Sequence, residues 1–347
     1  MSTPSAPEWM IEARGLARTF KTRTGPVEAV RGVDFQVAAG EIVGFLGPNG
    51  AGKTTTQRML ATLLTPTAGE ARVAGADLRT APAEVRRRIG YVAQGGMTNW
   101  DASVNEELST QAQLYGISKT DALARAKRLC GELDLADLGE RLVKTLSGGQ
   151  KRRLDIALGL VHAPRLVFLD EPSTGLDPHS RANLWAHIRG LRDREGAAVF
   201  LTTHYLDEAD ALCDRILIID HGRIVAEGSP DALKRRIAGD VVTLQLPGSR
   251  SEESTVQSET SEPVPDAELE RARTLLTGQP GVREVVLIPG GVRVTVERGD
   301  AQALGLMRAL DAAGIAVSSI SVARPSLDDV FLTVTGRSLR DAGGGAS

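Results

Sequence analysis

Three short stretches hold residue types that can work on a phosphate. The first, GPNGAGKTT (47–55), has the spacing G-x-x-x-x-G-K-[ST] between a short apolar run and a segment of helical period. Gly47, Gly50 and Gly52 let backbone N–H groups wrap phosphate oxygens, and Pro48, Asn49, Ala51 and Thr55 complete the loop. Lys53 is placed to reach the β and γ phosphates and Thr54 to ligate Mg²⁺. The second stretch, LVFLDEP (166–172), is four apolar residues followed by two acids. An acid at the tip of a buried strand can hold Mg²⁺, which suits Asp170, while Glu171 can polarise a water for in-line attack on the γ-phosphate. In isolation the same pair reads as a strand end capped by solvated acids.

The third stretch, TLSGGQKRR (145–153), places Ser147, Gly148, Gly149 and Gln150 at the start of a helix. Exposed N–H groups there favour an anion, yet the chain already carries a phosphate loop. Lys151, Arg152 and Arg153 read most simply as a polar helix face. Two further residues carry little weight singly. His204 closes AAVFLTTH, where a lone histidine is usually structural, and Gln94 follows RRRIGYVA as an ordinary polar loop residue would.

The elements that must position these residues can be read from periodicity. EIVGFLG (41–47), RLVFLD (165–170), AAVFLTTH (197–204) and RILIIDHG (215–222) are buried-type strands. Strands and helices alternate from Trp9 to about Lys234, which predicts an α/β fold with a mostly parallel sheet covered on both faces. Between Gly95 and Lys144 amphipathic helices replace the strands, so an α-helical subdomain is expected within about 95–160. Beyond the first domain (9–238), residues 239–340 read β-α-β-β-α-β, with a Gly290-Gly291 turn joining the middle strands. That order suggests a small α+β, ferredoxin-like accessory domain interrupted by a polar, flexible insertion at 247–266. A disordered tail is expected over 341–347.

Composition excludes several alternatives. The 347 residues allow two domains with real cores, and a formal charge of -3 with 3% aromatics supports neither an electrostatic nor a stacking case for nucleic acid. Arg86-Arg87-Arg88 and Lys234-Arg235-Arg236 read as solvated helix faces. Cys130 and Cys213 lie in no metal spacing and read as reduced, packed thiols, and the histidines form no close pair. The N-terminal stretch lacks a signal peptide's apolar run, and no segment approaches the ~20 apolar residues that span a bilayer.

Taken in order, these motifs resemble the ATP-binding subunits of ABC transporters over residues 9 to about 235. GPNGAGKTT resembles Walker A, Gln94 the Q-loop glutamine, LSGGQ (146–150) the ABC signature and LVFLDE Walker B with its catalytic glutamate. STGLD (173–177) is similar to the D-loop and His204 to the switch histidine. The resemblance implies a RecA-like P-loop NTPase core that hydrolyses ATP with Mg²⁺ held by Thr54, Gln94 and Asp170, and with Lys53, Gln94, Glu171 and His204 in catalysis. It places Phe20 against adenine, although a packed strand-end ring is an alternative.

It also implies a head-to-tail homodimer around two ATP molecules, in which Ser147, Gly148, Gly149, Gln150 and Asp177 serve the partner's nucleotide. The segments DEADALCDRILIIDHGRIVAEGSPDALK and RPSLDDVFLTVTGR (324–337) resemble drug-export ATPases of the daunorubicin-resistance type, which pair with ABC-2 permeases. That implies a peripheral protein on the cytoplasmic face of the membrane, exporting a drug, antibiotic or lipid-like compound. The permease contact is expected from the helical subdomain and the loop after Gln94, with Met97 and Trp100 either exposed to the partner or buried in the subdomain. An importer ATPase and a soluble translation- or repair-type ATPase are the other readings. The short 95–144 segment and the single ATPase unit argue against the soluble type.

Overall fold

The computed structural model describes residues 8–23, 25–96, 98–237, 240–247, 266–323 and 326–335. The chain forms two compact units that meet in sequence at Pro230 and Asp231. The expected insertion at 247–266 and the tail at 341–347 lie almost wholly outside the described residues, and Met97 does so entirely.

The first unit opens with two long strands, β1 (Trp9–Thr22) and β2 (Gly25–Ala38). They pair antiparallel in a four-stranded sheet of order β2-β1-β4-β5, with β4 (Ala68–Val73) and β5 (Ala76–Asp77). Reading the N-terminal segment as alternating strand and helix missed this separate sheet. The reason is local: the β1 register slips between Ala13 and Leu16 and again at Arg18, which breaks the two-residue alternation.

The second sheet has the order β10-β9-β3-β8-β7-β6. Its strands are β3 (Ile42–Leu46), β6 (Ile89–Val92), β7 (Leu166–Asp170), β8 (Ala198–Thr203), β9 (Arg215–Asp220) and β10 (Arg223–Gly228). All neighbours pair parallel except β9 and β10. Strands β3, β7 and β8 are buried throughout, as runs covered on both faces must be. Around the sheets run α1 (Lys53–Leu60), α2 (Pro82–Arg88), α6 (Pro178–Glu195) and α7 (Leu206–Leu212).

Between β6 and β7 lie α3 (Val104–Leu114), α4 (Lys119–Glu132) and α5 (Gly148–Leu160). Helices α3 and α5 start in capping boxes, Ser103 with Glu106 and Ser147 with Gln150, so two orphan N–H groups at each start find side-chain partners. The Arg86-Arg87-Arg88 cluster sits on an exposed helix face, and both cysteines are free and buried. Among the described residues no helix is long and apolar enough to cross a membrane.

From Asp231 the second unit takes in most of α8 (Pro230–Ile237), then β11 (Asp240–Gln245), α9 (Asp266–Thr277), β12 (Val282–Ile288), β13 (Gly291–Val296), α10 (Gly299–Ala312), β14 (Ser319–Ala323) and α11 (Leu327–Thr335). Its four strands pair antiparallel in the order β12-β13-β11-β14 over a core that includes Val242, Leu244, Val292, Val294, Leu276 and Leu310. The turn between its middle strands is Pro289-Gly290, not Gly290-Gly291. Gly290 takes the positive φ of 71°, and Gly291 already pairs with Ile288.

The first unit's core centres on four phenylalanines. Phe200 stacks on Phe35 at 5.6 Å, tilts against Phe45 at 5.5 Å and meets Phe168 edge-on at 5.8 Å. One ring thus joins strands from both sheets. Phe200→Ala is expected to lower stability by about 3–5 kcal/mol, because a rigid parallel sheet collapses poorly onto a ring-sized cavity. Urea unfolding followed by circular dichroism measures this, and a midpoint unchanged from wild type would contradict it.

Candidate active site

The phosphate loop joins β3 to α1, and its start is tied to β8 by Gly47 N–H donating to Thr203 O at 3.3 Å. Gly52 caps α1 at φ 108°, and a Cβ there would come within 2.5 Å of Ala29 O, so no other residue fits. Lys53 is only 5% exposed, and its ammonium donates to Gly47 O at 2.8 Å and Pro48 O at 3.1 Å. Burial pulls its pKa below lysine's ordinary value, against the pull of Glu171 and Asp170. The side chain therefore lies inside the curve of the loop, where an incoming anion would be its best partner.

Strand β7 delivers the two acids to the same place. Asp170 Oδ1 accepts from Thr54 Oγ1 at 3.0 Å and from Thr202 Oγ1 at 2.7 Å. Glu171 turns out of the strand at a positive φ of 45°, a conformation a non-glycine residue adopts only when its surroundings impose it. Here its N–H donates to Thr202 O and to Thr202 Oγ1, both at 3.1 Å. The Glu171 carboxylate collects Gln94 Nε2 at 2.8 Å, Thr174 Oγ1 at 3.2 Å, His204 Nδ1 at 3.2 Å and Lys53 Nζ at 3.6 Å. The His204 ring, aided by Lys53 and Thr174, holds the carboxyl below the usual range despite its burial.

Gln94, Lys53, Thr54, Glu171 and His204 all line one cavity of about 510 Å³, with Asn49, Gly50, Gly52 and Thr55. With Ala29 also on its wall, the cavity brings together residues separated by up to 175 positions in sequence, from Ala29 to His204. The Thr54 hydroxyl, the Asp170 carboxylate and the Gln94 amide oxygen are hard oxygen donors, the set that suits Mg²⁺.

The other sequence-predicted residues lie elsewhere. Ser147, Gly148, Gly149 and Gln150 line no part of this cavity. Ser147 and Gly148 are exposed at the start of α5, and the Ser147 and Gln150 side chains are engaged in their capping box. Gly149 has a structural reason to be glycine, since a Cβ would stand 2.9 Å from Ser180 Oγ. Asp177 is exposed and caps α6, accepting from Ser180 N–H at 2.9 Å. Phe20 is half-buried in β1 beneath the Arg18 guanidinium, 4.7 Å from the ring centre, and does not line the cavity. Trp100 is 63% exposed, with Lys151 Nζ 4.8 Å from its ring centre.

Two residues were not foreseen. Arg152, expected on a polar helix face, is 7% exposed and donates to the carbonyls of Ala93, Asp170 and Pro172. Four residues after His204, Glu208 is fully buried and bonded to Ser173 Oγ, with Trp185 Nε1 3.2 Å away. Burial pushes its carboxyl up. Neither is visible in a sequence, because a basic run and an acidic helix start both look solvated until the facing carbonyls or hydroxyls are placed.

A strand, a phosphate loop and a helix, with a strand-end Asp-Glu pair facing the loop, define a P-loop ATPase. The chain belongs to the ATP-binding proteins of the ABC transporter family. The family model "ABC transporter" matches residues 30–174, and the model "ATP-binding protein DrrA1-3-like, C-terminal domain" matches residues 228–335. The chain is 42% identical over 338 residues to the daunorubicin/doxorubicin resistance ATP-binding protein of Streptomyces peucetius, covering 96% of this chain and 95% of that one. It is 41% identical over 325 residues to the doxorubicin resistance ATP-binding protein of Mycobacterium tuberculosis, covering 94% and 93% respectively. A solved ATP-binding subunit of an ABC transporter superposes with a TM-score of 0.58 at 29% identity, over 65% of this chain and 92% of that one. The chain is therefore an ATP-binding, ATP-hydrolysing subunit.

Beside the active site a second hollow of about 360 Å³ lies between the sheet edge and helices α3 and α5. Leu63, Tyr91 and Tyr115 line it together with Glu107 and Asp155, and Arg86 also borders it. Burial pushes the Asp155 carboxyl up to about 6, partly opposed by Arg152. Because the folded chain holds this proton more tightly than the unfolded one, the penalty from this one group is absent below its ordinary pKa of 3.8 and grows as pH rises through about 6. Asp155→Asn is accordingly expected to stabilise by on the order of 1–3 kcal/mol at neutral pH and to be nearly neutral near pH 4. Thermal melts across that range read the difference, and a stabilisation independent of pH would contradict the cause given.

Proposed function

We propose that the protein works as a head-to-tail pair of ATP-binding subunits that enclose two ATP molecules and drive export of a drug, antibiotic or lipid-like compound through a separate ABC-2 type permease. The observation that carries the reading is the position of the LSGGQ segment. Its exposed helix start lies outside the cavity where Lys53, Gln94, Glu171 and His204 meet. A cradle that cannot serve its own loop's phosphate is suited to a neighbour's. Export is favoured because the similarity to proteins named for drug resistance extends through the accessory unit.

In this reading the loop from Gly47 to Thr55 binds the α and β phosphates through backbone N–H groups, and Lys53 moves from its carbonyl partners to the β and γ phosphates. Mg²⁺ held by Thr54, Asp170 and Gln94 would neutralise charge on the phosphate oxygens. Glu171, its carboxylate kept ionised by His204 and Lys53, takes a proton from the attacking water. His204 then sits within reach of the γ-phosphate, and Phe20 packs against adenine. Across the seam Ser147, Gly148, Gly149, Gln150 and Asp177 close on the partner's nucleotide.

The helices between β6 and β7 act as the helical subdomain, and the hollow beside Asp155 with the exposed Trp100 offers the permease a surface next to Gln94. The accessory unit, with its β-α-β-β-α-β order and β12-β13-β11-β14 sheet, takes a ferredoxin-like arrangement. Such a subunit sits peripherally on the cytoplasmic face of the membrane.

Two experiments test this. Glu171→Gln is expected to bind ATP normally, lose steady-state turnover and accumulate as an ATP-dependent dimer by gel filtration; wild-type turnover would remove Glu171 from its role. Lys53→Ala and Ser147→Arg are each expected to be inactive, yet mixing the two proteins should restore part of the ATPase rate. In the mixed pair one of the two sites combines an intact loop with an intact signature. A mixture as silent as its components would argue that the signature acts in its own subunit.

A further inference from the structure

Arg152 projects from α5 into the interior and spends its guanidinium on three main-chain carbonyls. Nε donates to Pro172 O at 2.9 Å, Nη1 to Ala93 O at 2.6 Å and Nη2 to Asp170 O at 2.9 Å. Two of these carbonyls bracket Glu171, and the third belongs to the residue before Gln94. Glu171 is the strained position of the site, at φ 45°, and its N–H is held from the other side by Thr202 of β8. The frame that carries the proposed base is thus clamped between a strand on one side and a single guanidinium on the other.

A buried cation is costly, and burial does pull the Arg152 pKa down. Among the described residues no carboxylate engages it in an ion pair, although Asp155, Asp170 and Glu208 contribute favourable charge from further off. Directionality is what the guanidinium adds: a planar fork can serve three diverging carbonyls at once, whereas an ammonium donates from one nitrogen.

We infer that Arg152 is a positioning residue for hydrolysis, the strut through which the signature helix α5 sets the backbone of its own subunit's Glu171 and Gln94. The inference rests on the reading of Glu171 as base and of the α5 start as the contact to the partner's ATP. Under that reading, closure of α5 on one nucleotide orders the hydrolytic pair facing the other, so the two sites communicate through each subunit.

The test is a double-mutant cycle with single-turnover hydrolysis as its readout. Arg152→Gln is expected to bind ATP with KM within about two-fold of wild type and to lose between about ten- and a hundred-fold in kcat. Arg152→Lys, which retains the charge and part of the donor capacity, should lose less. In a Glu171→Gln background, adding Arg152→Gln should lower the residual rate by less than about two-fold, since the residue it positions is already disabled. A kcat unchanged in both Arg152 variants, or losses that multiply fully with Glu171→Gln, would overturn the strut and leave the assignment of Glu171 intact. Wild-type turnover in Glu171→Gln alone would overturn both.

Discussion

Buried charge at the carboxyl ends of three parallel strands is the constraint around which this molecule is arranged. Lys53 and Arg152 are almost fully enclosed, and so are Asp170 and Glu171. Each of these groups would be strongly unfavourable alone in a low-dielectric interior. They are tolerated because the strand ends supply what they need: loop carbonyls for Lys53, hydroxyls for Asp170, a glutamine and a histidine for Glu171, and three carbonyls for Arg152. The opposite charges do not collapse into tight pairs, since Lys53 stays 3.6 Å from Glu171. That leaves a cation and an acid in loose contact at the wall of one cavity, each with bonding capacity not used up by the other.

The apolar parts of the fold follow from that requirement. Parallel strands place all their carboxyl ends on one edge, and right-handed crossovers return each helix start to the same edge. The sheet can be this apolar because helices and the β1–β2 sheet cover it, and the phenylalanines of β2, β3, β7 and β8 lock the two sheets together. A stiff core fixes Thr202, and Thr202 in turn fixes both Asp170 and the strained backbone of Glu171.

Much of this could be read in the amino-acid sequence, and the physical reasons differ by element. The buried strands announce themselves as unbroken apolar runs, and the phosphate loop by a spacing that few other structures need. Lys53, Thr54, Gln94, Glu171 and His204 line one cavity. What stayed hidden depends on partners distant in sequence. The β1–β2 pair slips register, so its alternation is blurred. Arg152 looks like the lysine beside it until β7 and the segment before Gln94 supply carbonyls. Gly291 looks like a turn residue, yet it begins a strand because Pro289 and Gly290 already make the turn.

The LSGGQ segment shows how a helix start can meet its own bonding needs within a few residues. A helix start leaves N–H groups without intrahelical acceptors, and the capping box of α5 satisfies those of Ser147 and Gln150. The N–H of Lys151 bonds back to Ser147 O in the normal helical way. The N–H groups of Gly148 and Gly149 remain, at residues that have no side chain to shield them. Under the proposed pairing the cap would not compete with an anion, because its bonds use the N–H groups of Ser147 and Gln150 and not those of the two glycines. In the proposed pair a phosphate arriving there would meet those donors on a helix that is also anchored by Arg152. Rigidity at that point is what would let a contact made at the seam be felt at Glu171.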